Sequence, residues 1–235
     1  MEISLRQAAR CVDAPEEFSV LRDFFGFLTD DPAAVGTLSV RDQIEANRGK
    51  HINLDLILVA PSEIPRSARR WVDHGIDGVR RIFRNVGIGV ARVRPHIIPL
   101  DEAQGFDVIT SKSEAKKLTR KFRGSSDDAM DVFIVPEYNV TSKGKVKAGI
   151  CSIPGCNKNL YSFNGCVIGI RNLTGSMTDG RIARLMAHEL GHGLRLAHRD
   201  TDGNLMQAGG SGTDLTVQQG RRMRRDCFVR DGCNF

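Results

Sequence analysis

The order of strand-like and helix-like runs predicts an α+β fold: a mixed, twisted sheet with helices packed on it. Short runs rich in β-branched residues recur between turn formers, long runs with helical spacing separate them, and a late helical run carries paired histidines. The 235 residues suffice for one domain with a modest extra segment.

Residues 1–50 stand apart as an N-terminal extension, a propeptide or a set of accessory helices. They are more acidic than the rest, contain FSVLRDFFGFL and carry no metal-site feature. The 51–235 stretch reads as one folded domain, the one that carries the paired histidines. Ile52 to Ala60 has strand character, and Pro61 and Pro65 close it. Arg66 to Asn85 reads as a helix, with Trp71, Ile76, Val79, Ile82 and Phe83 near helical spacing and arginines on the other face. Gly87 to Pro99 alternates as a second strand, and Ser113 to Phe122 is a basic helical stretch. Asp131 to Glu137 is a short buried-strand pattern, Cys166 to Arg171 is another strand, and Thr178 or Asp179 caps the helix that carries the histidines.

That last helix leads into HELGHGLRLAH, from His188 to His198. Residues four apart in a helix lie nearly above one another, so His188 and His192 present their rings to one point. A catalytic zinc ion usually takes three protein ligands and keeps a fourth position open. Glu189 follows the first ligand directly, where its carboxylate reaches a water on the metal rather than the metal itself. His198 supplies the third ligand if the helix stops and the chain doubles back. Gly193 offers a break, and Asp200, Asp202, Gly203 and Asn204 fill the next loop with turn formers. Another large class of H-E-x-x-H zinc hydrolases takes a later glutamate as third ligand, but no glutamate follows Glu189 here. His198 therefore leads, with Asp200, Asp202 or Asp214 as poorer substitutes. His51, His74 and His96 stand alone and read as packed or solvated side chains.

This segment resembles the active-site signature of the metzincin metalloproteases, H-E-x-x-H-x-x-G-x-x-H, followed by a methionine-containing turn, here Asn204-Leu205-Met206. Gly212 to Arg224 resembles the helix that secreted bacterial and pappalysin-like members carry after that turn. The resemblance implies a sheet of four or five strands, a backing helix, a zinc-binding active-site helix and a small C-terminal subdomain. It implies zinc at His188, His192 and His198, with Met206 as an apolar base beneath it. It also implies a zinc-dependent endopeptidase in which Glu189 activates the zinc-bound water. The strand before the zinc helix, Cys166, Val167, Ile168, Gly169, Ile170 and Arg171, would be the sheet edge that pairs with extended substrate. Arg195 departs from the pattern, because the family has glycine there in a left-handed turn. Either Arg195 accepts that strain or the chain turns early at Gly193. The alternatives to a peptidase are a zinc hydrolase of a non-protein amide and a non-catalytic zinc-containing binding protein or toxin.

Six cysteines, at 11, 151, 156, 166, 227 and 233, favour disulfides and an extracellular or periplasmic destination. The expected pairs are Cys227 with Cys233, and two of Cys151, Cys156 and Cys166; a structural zinc on the middle three is the rival. Cys11 in ARCVD faintly resembles a cysteine switch that blocks zinc in zymogens. The N-terminus has no apolar signal core, and no run approaches membrane-spanning length, so a soluble monomer is expected. The net charge of +6 and the run Arg221 to Arg225 come without any nucleic-acid-binding signature, so they read as a solvated basic face. Asp200, Asp202 and Asn204 offer oxygens to Ca2+, but three oxygens in one turn are commoner as turn formers. The expected partner is a protein or peptide substrate.

Overall fold

The computed structural model describes residues 49–124, 128–142, 144–171 and 179–232. Most of the N-terminal extension with Cys11, the Thr178 cap and Cys233 lie outside these residues. The elements run β1 (Lys50–Val59), α1 (Arg66–Arg84), β2 (Ile88–Ile98), β3 (Val108–Ile109), α2 (Lys112–Lys121), β4 (Ala129–Val135), β5 (Glu137–Tyr138), β6 (Thr141–Ser142), β7 (Lys145–Val146), β8 (Gly149–Ser152), β9 (Gly165–Gly169), α3 (Asp179–Gly193), α4 (Val217–Met223) and β10 (Arg230–Asp231). The fold is α+β, with a mixed sheet of six strands.

β1 lies between β2 and β4, parallel to both, and β9 continues the sheet parallel to β4. β8 closes that side antiparallel to β9. β10 pairs with Lys50 and His51, whose other edge β2 already occupies, so it extends the row that β4 begins at Ala129. The period of two along the strands divides the core into two layers. Ile52, Leu54, Leu56 and Leu58 of β1, with Met130, Val132 and Ile134 of β4, face α1 and α3. Ile57, Val59, Phe133, Val135 and Val167 face α2 through Ala115 and Leu118.

α1 buries Ala68, Val72, Ile76, Val79 and Phe83, a stripe at helical spacing that follows Pro65 at its start. Its glycines set the distance to α3. A Cβ on Gly78 would lie 1.9 Å from the Cβ of Ala183, and one on Gly75 would lie 2.0 Å from the Sδ of Met186. α2 is capped by Ser111, whose side chain accepts from the Glu114 backbone N at 3.1 Å.

Two expectations are corrected. The strand before α3 is not the sheet edge: β9 is paired on both sides, and the outer strand is β8. Ile170 and Arg171 lie beyond β9, with backbone N–H groups donating to Val135 and Pro136. The physical reason is the hairpin-like return of Gly149–Ser152, four residues too short to show a period in the sequence, which covers the open side of β9. Cys227 does not pair with Cys233; it is bonded to Cys156, while Cys151 is bonded to Cys166 directly across the β8–β9 ladder. The middle three cysteines are thus all engaged in disulfides, which leaves no thiolate among them for a structural zinc.

On the second face the sheet carries a buried ionic cluster. Asp55 and Asp131 are opposite one another on β1 and β4, and Lys158 reaches both, at 3.4 Å and 2.5 Å. Arg94 adds a contact of 2.9 Å to Asp55, and the Gly124 N–H donates to Asp131 at 3.0 Å. Burial works to raise the Asp55 pKa, but His96, Lys158 and Arg94 together hold it below its ordinary value. Burial raises that of Asp131 against the pull of Lys158. No helix of the described residues is long and apolar enough to cross a membrane.

Candidate metal centre

α3 places His188 and His192 one turn apart, and the chain then reverses to bring His198 beside them. The Nε2 of His192 lies 3.1 Å from the Nε2 of His188 and 3.1 Å from that of His198. Ligand atoms on a tetrahedral zinc ion at about 2.0–2.1 Å lie roughly 3.3 Å from one another. The Nε2 of His192 thus stands at about zinc-ligand spacing from each of the other two, and the ligand atoms of all three rings lie within 4.8 Å of one another.

Backbone carbonyls fix which nitrogen faces the centre. The Nδ1 of His188 is 2.7 Å from the Leu205 carbonyl, and the Nδ1 of His192 is 2.8 Å from that of Leu196. A carbonyl only accepts, so each Nδ1 carries the proton and donates it, which leaves the Nε2 lone pairs directed inward. Two lone pairs at 3.1 Å cannot hydrogen-bond to each other; a cation between them satisfies both. Burial lowers the His188 pKa to about 4, against its bond to Leu205, and His192, Arg184 and His198 lower it further. Burial likewise lowers that of His192. Both rings are held in the neutral form that binds metal.

The turn to His198 is made by Arg195, which sits at φ 65°. The Leu196 N–H donates to Gly191 at 2.9 Å and the Arg195 N–H to His192 at 3.0 Å, the two bonds of a Schellman stop. Of the two routes the sequence left open, the strained one is used. Gly193 stays within α3 for a different reason: a Cβ there would meet the Cε of Met130 at 2.5 Å and the Cδ1 of Ile153 at 2.9 Å. Arg195 is held by Asp226, with Nε 2.9 Å from a carboxylate that is only 2% exposed.

Met206 is fully buried, and its Sδ would lie 2.7 Å from a Cβ on Gly191, so the thioether packs under the helix between the two histidines. The turn that carries it is stitched from several sides. Asn204 and Gln219 exchange carboxamide bonds of 2.9 Å and 3.0 Å, and the Asn204 side chain also accepts from the Met206 N–H. Arg184 donates to the Gln207 and Gly212 carbonyls. The Asn204 side-chain oxygen is thus committed to the turn. Among the described residues, the histidine triad is the one cluster of free metal-type ligands, since the other, Cys156, Asp226 and Cys227, contains a disulfide.

Glu189 is buried beside the triad, and burial raises its pKa to about 7 against the pull of Lys147 and Arg184. Gly149 of the outer strand lies against it, since a Cβ there would be 3.3 Å from the Glu189 Cγ. The three histidines named from the sequence come together, with Glu189 and Met206 buried next to them. Sequence reasoning missed the carbonyls of Leu196 and Leu205, which have no side-chain signature, and the Asn204–Gln219 pair. A Thr216-x-x-Gln219 capping pattern was the signal that Gln219 had a local role.

No family model matches the chain, and no curated protein matches it in sequence. Solved structures do. The fold is similar to an archaemetzincin from Methanopyrus kandleri, with a TM-score of 0.50 at 15% identity over 74% of this chain and 94% of that one. A metalloproteinase-II from Bacteroides fragilis matches with a TM-score of 0.46 at 12% identity over 90% of this chain and 70% of that one. A zinc-dependent peptidase from Methanocorpusculum labreanum gives 0.38 at 13% identity over 72% and 92%.

Proposed function

We propose that the protein is a zinc-dependent endopeptidase. The observation that carries this reading is the convergence of three imidazoles, the Nε2 of His192 lying 3.1 Å from those of His188 and His198, with the protons of His188 and His192 held on the far side by Leu205 and Leu196. These residues fit the ion, and Met206 closes the apolar floor beneath them. When bound, zinc supplies a Lewis acid that acidifies water and polarises a carbonyl.

The chain's own residues do the rest. Glu189 accepts the proton of the attacking water and delivers it to the leaving amine. Its burial suits both roles, because a carboxylate stripped of water takes up a proton more readily. Extended peptide adds to the outer edge of the sheet, which makes β8 the substrate strand in place of Cys166–Arg171. Gly149 then brings the peptide backbone next to Glu189 without a side chain between them. The two disulfides favour an exported protein.

Glu189→Ala should retain stoichiometric zinc by elemental analysis and lose chelator-sensitive cleavage of a mixed peptide library, by a factor of about 1,000 or more. Cleavage that persists in this variant would refute the role of Glu189. A wild-type protein with full zinc and no cleavage of any peptide would refute the peptidase.

A further inference from the structure

We propose that a hollow between the turn after α3 and the basic run of α4 is a binding site for a compact oligoanion carrying phosphate groups. The hollow, of about 540 Å³, is lined by Arg195, Gln218, Arg221, Arg222, Arg225 and Asp226. Four arginines and one aspartate line it, which leaves a formal charge of three positive in a concave space. Asp226 is spent on Arg195, whose Nε it holds at 2.9 Å. Arg221, Arg222 and Arg225 are exposed and form no ion pair among the described residues. Arg224, in the middle of the same run, is turned away and donates to the Val86 carbonyl.

Two features distinguish this hollow from a solvated basic face. The arginines stand on a fixed frame: Met223 is fully buried, Thr216 and Gln219 form a capping box, and Cys227 is tied to Cys156. Arg221, Arg222 and Arg225 thus project from one fixed backbone with no ion-pair partner among the described residues, and a bound anion relieves their mutual repulsion. In addition, Arg195 occupies a left-handed position, φ 65°, that glycine would fill without strain, and its side chain is aimed at this hollow. Guanidinium forks bind phosphate bidentately, and a ligand of about three negative charges balances the site. The site lies outside the proposed chemistry and does not depend on it.

The test titrates the zinc-loaded protein with inorganic pyrophosphate by calorimetry in 150 mM chloride, on the order of physiological ionic strength. Saturable one-to-one binding is expected, weakened at least tenfold in R221Q/R225Q and unchanged in K112Q/K116Q on the opposite face of the sheet. Absence of saturable binding overturns the proposal, as does equal weakening in the two variants, which would mean diffuse attraction. Citrate binding as tightly as pyrophosphate overturns the preference for phosphate. Vesicles containing phosphatidic acid distinguish the source. Sedimentation that is relieved by pyrophosphate and lost in R221Q/R225Q assigns a lipid phosphate, and pyrophosphate binding without sedimentation assigns a soluble phosphate ester. Thermal melts of both variants that match the wild type establish that folding is intact.

Discussion

Arg195 sets a strained backbone against an ion pair. The left-handed conformation costs a residue with a Cβ about 1 kcal/mol. Asp226, whose side chain is 2% exposed, needs the arginine as its cation. Removing Arg195 costs more than the strain it relieves, since Asp226 loses its direct partner and keeps only the more distant arginines of the same hollow. Arg195→Gly should therefore lower stability by roughly 1–2 kcal/mol in urea unfolding, even though glycine suits the turn. The double variant R195G/D226N should recover most of that loss; a single variant more stable than wild type would show that the ion pair contributes nothing. The strain was legible from the resemblance, which puts glycine at that position. Asp226 was not, since nothing in the spacing of the two residues links a turn after one helix to a loop after another.

At the scale of elements, α1 and β2 were legible because each has a period, and β1 because an apolar run with strand character ends at Pro61. Sheet order was not. The edge is decided by β8, whose four residues GICS carry no period, and by its pairing with β9 across Cys151 and Cys166. The contact between α1 and α3 was likewise hidden, because a glycine in a helix carries no side chain whose pattern could name its partner. Their function is close approach: Gly78 abuts the backbone and Cβ of Ala183, one turn before Ala187 and His188. Gly78→Val should push the helices apart, cost about 2–3 kcal/mol or more, and loosen the ligands of α3. Chelator competition would report the second effect as faster zinc loss at a temperature where circular dichroism shows the variant still folded. Zinc retention equal to wild type would mean that the crossing does not position the ligands.

Across the whole molecule, one lysine joins pieces that are far apart in sequence. Lys158, from the loop between β8 and β9, neutralises Asp55 on β1 and Asp131 on β4 in the interior. Lys158→Met keeps the volume but leaves two buried carboxylates without that cation, and should cost roughly 3–5 kcal/mol in urea unfolding. A loss below about 1 kcal/mol would mean that Arg94 and His96 suffice. Such a cluster is invisible in sequence, where each residue looks like surface charge, whereas the metal centre is visible because its parts are close together in the chain. That locality has a consequence for biogenesis. The three ligands, Met206 and both carbonyl acceptors fall within residues 188–206. β1, in contrast, is sealed by Arg230 and Asp231, and the loop of Cys156 is tied to Cys227. On the ribosome the metal loop emerges before the strand that seals β1, so the sheet behind it stays unsealed until residues 227–231 have been released. A nascent chain from which residues 188–206 have emerged but residues 227–231 have not would thus present the three histidines on a sheet that is not yet sealed.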